Sequence, residues 1–394
     1  MLNIIDRQKE ERIPPILRLG FRPFFLLGSA YSAVAVAVWL WIFTHGQPES
    51  LAVPGLWWHV HEMFFGFAMA IVAGFLMTAV QNWTGVKGTS GLRLAMIVVL
   101  WALPRILLWT PAPLWFTSIV DALFLIVVGW EVGSRVVKAK RWRNLIFIPM
   151  LLVAVIANFA SYAAVKGMPP FTSHAVWIAM MYWFVLLLSV MGGRVIPFFT
   201  ARRFGFDTPT PIAWIEWAAN FPLFLLVILA FFPMVPTWIT GSLMLIAGVA
   251  QLVRFLRWKG FVSLSEPLVW SLHIFYAFIP AGLVLRGLMG TSWASHVMLH
   301  LFAIGAIGGV ILAMIARVTM GHTGREIYKG PVFWPAFCFL VLAALIRTVA
   351  VLLFPASSIV AISLAGALWI AAFVLYVIYF GPMLVKARKD GHPG

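Results

Sequence analysis

Charge is scarce in this sequence, and so is cysteine. Only 10% of the 394 residues are Asp, Glu, Lys or Arg, where a soluble domain carries about 25%. That excludes an ordinary water-covered surface. One cysteine, Cys338, excludes a disulfide scaffold or a thiolate cluster. Acidic residues are the scarcest charge, 12 against 28 basic, for a formal balance of +16. Pro and Gly are spread throughout, so no stretch reads as a disordered linker. The opening MLNIIDRQKEERIPP mixes both charge signs and does not read as a secretory signal.

Apolar residues fill the space instead, at 63% of the chain. At about 20 residues per span, twelve stretches emerge, near 22–44, 57–81, 92–110, 113–134, 145–165, 173–199, 212–232, 236–256, 267–288, 293–318, 333–353 and 357–385. A bilayer core offers backbone groups no water, so these must be helices. The expected fold is an all-α polytopic membrane protein with twelve transmembrane helices. Its parts are a cytoplasmic arm (1–21), a transmembrane domain (22–385) and a cytoplasmic tail (386–394).

The basic residues locate the two sides. All but four of the 28 fall in the N-terminal arm, in loops after even-numbered spans, or in the tail. By the positive-inside rule both termini face the cytoplasm. The excess charge is thus the rim of a helical bundle in a lipid bilayer and not a nucleic-acid footprint. The exceptions are Arg105, Lys166, Arg286 and Arg347, all near outer span ends. Lys166 sits in a loop. Arg105 and Arg347 lie one to two turns inside their spans, where an unpaired charge is costly. They either snorkel to the headgroups or meet an anion such as a carboxylate, a haem propionate or a small ligand. Asp121 is a candidate partner.

Histidines converge by topology. His59 and His61 begin span two, His174 begins span six, and His296 and His300 begin span ten. Spans two, six and ten all run inward, so these five share one outer layer. His296 and His300 are four apart and share a helix face. His59 and His61 are roughly 200° apart around a helix. Neutral imidazole suits haem iron, copper and zinc, so the five are candidate metal ligands. Glu62 could orient a histidine as its second partner or simply favour a helix N-terminus. Spans two and ten also carry a weak repeat: His61, Gly66 and Thr84–Gly85 match His300, Gly305 and Thr323–Gly324 at one offset. Three four-helix units are the resulting picture. Gly66, Ala70, Gly74, Gly305, Gly308 and Gly309 would permit close helix packing or leave room beside a flat macrocycle.

FRPFFLLG (21–28), WHVHEMFFGFAMAIVAGFLMTAVQNWTG (58–85), GGRVIPFF (192–199) and ARVTMGHTGR (316–325) carry a resemblance to the NnrS family. It implies a multi-pass bacterial inner-membrane protein containing haem b and copper, associated with the nitric oxide response and nitrosative stress. The arrangement also resembles the catalytic subunit of haem–copper oxidases and nitric oxide reductases. By that analogy His59 or His61 would pair with His296 or His300 across one haem iron, and His174 would serve a second metal. Arg105, Arg286 and Arg347 become candidate propionate anchors. Span seven has no histidine, so the usual second-metal cage is incomplete. The expected ligand is nitric oxide or a nitrosyl species, with an electron donor as a further partner if the chemistry is redox. The competing class is a secondary transporter for a small anion or metal complex, with Gly192–Gly193 and Pro197 breaking a helix.

Overall fold

The computed structural model describes residues 11–392; Arg7 and Lys9 of the expected cytoplasmic arm lie outside the described residues. Among the described residues there is no strand. The principal helices are α1 Phe21–His45, α2 Gly55–Thr84, α3 Gly91–Leu107, α4 Leu114–Lys138, α5 Phe147–Val165, α6 Ser173–Phe204, α7 Ala213–Leu229, α8 Thr237–Leu256, α9 Pro267–Met289, α10 Trp293–His322, α11 Trp334–Leu353 and α12 Ser358–Val385. Their ends follow the turn signals: Pro54, Pro113 and Pro236 precede α2, α4 and α8, and Gly85 closes α2 in the left-handed conformation.

Among the described residues ten helices are long and apolar enough to cross a membrane. The third and seventh expected spans form helices too, but shorter than read from the sequence. Both α3 and α7 have 17 residues, or about 25 Å of helix against a hydrocarbon core of about 30 Å. Near its end α3 meets Pro104, and the chain turns directly after Leu107. Phe231 and Phe232, counted in the seventh span, lie beyond α7 in a turn. Exposed tryptophans mark helix starts: Trp115, Trp214, Trp238, Trp293 and Trp334 are each the first or second residue of their helix. An amphipathic indole suits the headgroup level.

The described residues divide into two compact units. The first holds the described residues up to Ser173, with Arg317–Gly330 and those from Phe373 on; the second holds His174–Ala316 and Pro331–Ala372. Both α10 and α12 divide between units. The glycine–proline motif does not break α6, which runs unbroken through Pro197. Gly192 and Gly193 have packing roles there: a Cβ would lie 2.9 Å from the Tyr276 ring at the first and 2.6 Å from Arg254 Nη2 at the second.

Three helices contain wide π segments: Glu62–Ala68 in α2, Leu301–Gly308 in α10 and Ile346–Ala350 in α11. The first begins directly after His61 and the second directly after His300. Such segments recur at functional sites, and they free carbonyls from the regular ladder.

Candidate functional site

In the first unit the early turns of α2 carry His59, His61 and Glu62. His61 is buried, its ring stacked on Trp57 with centroids 4.3 Å apart. Both ring nitrogens are engaged: Nε2 lies 2.9 Å from Asp121 Oδ2 and Nδ1 lies 3.2 Å from Ser161 Oγ. Asp121, on α4, also accepts from Asn158 Nδ2 at 2.9 Å and Tyr162 Oη at 3.3 Å. Its other oxygen is 2.6 Å from Arg105 Nη2, and Arg105 Nε is 2.9 Å from Glu62 Oε2. Tyr31 donates to the same Glu62 oxygen at 2.5 Å. One guanidinium therefore ties two carboxylates, all three side chains being almost wholly buried. The π segment completes the cage. Its carbonyls at Gly66 and Phe65 accept from Trp101 Nε1 at 2.7 Å and from Arg105 Nη1 at 3.4 Å. A Cβ at Gly66 would collide with the Glu62 carboxylate and approach Tyr31 Cε1 to 2.7 Å, so this glycine is what lets Glu62 and Tyr31 meet.

The second unit holds a cavity of about 140 Å³ lined by the start of α6 (His174, Ile178, Tyr182), the start of α8 (Thr237, Thr240, Gly241, Met244), the end of α7, the end of α9 (Arg286) and the start of α10 (His296). The His174 and His296 rings are 5.5 Å apart. His296 Nδ1 is 3.0 Å from the Ser292 carbonyl, to which it can only donate; in the neutral ring this leaves Nε2 with the lone pair. Arg286 is buried, with Nη1 3.1 Å from the Ser295 carbonyl and its guanidinium 5.9 Å from the Tyr182 ring centre. Its Nε has no hydrogen-bond partner, and no acidic residue lines the cavity.

Against this geometry, the family model described as NnrS protein matches residues 15–388. The chain belongs to the NnrS family. No curated protein matches it. Family membership thus covers both units, including every histidine considered above except His392 of the tail.

The cofactors expected of an NnrS protein can be tested on these residues. The structure shows His61 and Arg105 serving each other's neighbourhood. To ligate a metal, His61 would have to give up Asp121 or Ser161, and Arg105 already faces two carboxylates. The pair does not fit the roles of axial ligand and propionate anchor. In the second unit the space of about 140 Å³ matches a cavity that admits benzene, and it opens to the surface at the exposed His174, Thr291 and His296. His174 and His296 supply two nitrogens, and among the described residues no group of three or more His, Cys, Asp or Glu side chains could hold a metal ion. A closed copper site does not fit there.

The remaining residues are placed as follows. The His59 ring stacks on Trp39 at 4.6 Å. His300 is half-buried at the entry to its π segment. Arg347 sits, half-buried, inside the π segment of α11. Gly305, Gly308 and Gly309 are met by the rings of Phe278, Trp369 and Phe275, so close aromatic packing, not an open slot, explains them. Sequence reading missed a polar cluster in the second unit. There Arg254, assigned to the basic rim, is buried and reaches Glu216 at 2.8 Å, Tyr276 Oη at 2.6 Å and the Ser189 carbonyl. Gln251 donates to Ser189 Oγ at 2.5 Å and accepts from Tyr276. The available signal was Gln251 and Arg254 three apart on one helix, with Gly193 small enough to face them.

Proposed function

We propose that this NnrS-family chain is a multi-pass inner-membrane protein of the nitric oxide response that binds or transforms nitric oxide or a nitrosyl species on its outer side. Both termini are cytoplasmic in this reading, and α3 and α7 also span, giving twelve crossings. Family membership supports the setting. The observation that carries the site is the meeting of His174, His296 and Arg286 on one small cavity, sized for a ligand of a few atoms. Three charge-bearing or ligating groups from three helices converge on a lining that mixes Ile178, Leu226, Leu229 and Met244 with Tyr182 and three threonines, the pattern of a small-molecule site.

Haem b belongs to this proposal through His59 and His300, each a candidate axial ligand in its own unit. Bound haem would supply an iron able to take a diatomic ligand, tuned by its axial partners and burial. Copper at His174 and His296 would need a further ligand beyond these two imidazoles. The chain's own part is this: α6, α8, α9 and α10 position the lining side chains, and the Ser292 carbonyl holds His296 in one tautomer.

The test is the optical spectrum and metal content of purified protein from haem-replete cells. A Soret band that is lost in His59→Ala or His300→Ala but kept in His61→Gln supports the reading. Colourless protein without iron overturns the haem part.

A further inference from the structure

We infer that the cavity between α6, α8, α9 and α10 is a binding site for a small monovalent oxyanion of the nitrite or nitrate class, held by Arg286. This rests on the reading of that cavity as the ligand site and needs no cofactor.

Charge makes the argument. Arg286 is buried, and a guanidinium stays ionised in proteins. Among the described residues no carboxylate lies within ion-pair distance of it; its polar contacts are the Ser295 carbonyl and the neighbourhood of Tyr182. Two other buried arginines have carboxylate partners, Arg105 with Glu62 and Asp121 and Arg254 with Glu216, while Arg22 donates to the Leu384 and Lys386 carbonyls. A buried cation without a counterion is costly, and one facing a cavity is neutralised by whatever anion enters. The unpartnered Nε of Arg286 offers a donor in a planar fork that suits a planar oxyanion.

Selectivity follows from the same count. One fixed positive charge balances one negative charge. A dianion such as sulfate would leave a net charge among Ile178, Leu226, Leu229 and Met244. A divalent cation would add its charge to that of Arg286. Volume sets the upper limit: a space of about 140 Å³ admits an ion of a few heavy atoms. Thr237 and Thr291 contribute hydroxyl donors along the wall, and a neutral His174 carries one ring N–H.

The experiment is isothermal titration calorimetry of the full chain in lipid nanodiscs, at constant ionic strength, with sodium nitrite, nitrate, sulfate and copper(II) as separate titrants. Nitrite and nitrate should bind and compete with each other, with sulfate at least tenfold weaker. Arg286→Gln should weaken nitrite at least tenfold, and Arg286→Lys less, since it keeps the charge but loses the fork. Sulfate binding as tight as nitrite, no nitrite binding up to about 10 mM, or an unchanged affinity in Arg286→Gln would each overturn the inference. The wild-type selectivity series decides the matter even if a variant does not fold. Haem-loaded protein without anion binding refutes this inference alone; anion binding to haem-free protein refutes only the haem proposal.

Discussion

Arg105→Gln is the substitution most exposed to measurement. The guanidinium sits 2.6 Å from Asp121 and 2.9 Å from Glu62. At an effective dielectric near 20, a unit-charge pair at about 4 Å is worth roughly 4 kcal/mol. Two such pairs are offset in large part by the desolvation of three ions, so the gross sum is not the stability. Removing the shared cation is different, because it strands two carboxylates in an apolar interior. Stranding one partner of a buried pair costs about 3–5 kcal/mol, which for a unit of this size lowers the melting temperature by roughly 6–20 °C. Asp121→Asn added to Arg105→Gln removes one stranded charge and should recover part of the loss. Tryptophan-fluorescence melts of the three variants against wild type in one detergent measure this directly. A melting temperature for Arg105→Gln within about 2 °C of wild type would refute the ion-pair reading, and so would a double variant as damaged as the sum of its singles.

Three further outcomes are expected. Gly66→Ala forces Glu62 or Tyr31 aside and should cost about 1–3 kcal/mol, as overpacking does; a wild-type melt would show that the cage tolerates the methyl. His61→Ala removes the Trp57 stack and one donor to Asp121, lowering stability by about 1–3 kcal/mol, whereas His61→Gln should lie closer to wild type in the same melts. At the tail, Arg388 holds the Asp390 carboxyl down to about 2, while Arg388 also donates to the His322 carbonyl and Lys389 N–H to that of Thr323. A folded value below the ordinary carboxylate one means the contact is fully present above about pH 4 and is lost as pH falls through the folded value. Hydrogen exchange of the Lys389 amide should therefore stay protected at about pH 4; rapid exchange there would count against the docked tail.

Spans were legible because apolar runs and proline punctuation obey the bilayer, whatever the neighbours are. The Arg105–Asp121 partnership was legible for a related reason: a charge inside a span must find its opposite, and few candidates exist. His61 was not. Its depth and residue type suit a metal as well as they suit Asp121 and Ser161, and only the packing of α4 and α5 decides between them. The lengths of α3 and α7 depend on where the backbone turns, which hydropathy does not register. The glycine–proline motif of α6 misled because Gly192 and Gly193 make space for Tyr276 and Arg254, residues about 60 to 80 positions away. Of the five outer histidines, His174 and His296 meet within the second unit, from the starts of α6 and α10.

A π segment is an α-helix carrying an extra residue, and that makes the count of residues, not their identity, the thing that aims a side chain. Tightening Glu62–Ala68 to ordinary α pitch with all its residues kept would turn everything upstream by about 100°. Trp57 and His61 would then leave Asp121 and Ser161 without a single polar contact having been mutated. The same holds between His300 and Gly308. For these two helices the reading frame of the fold is set by number.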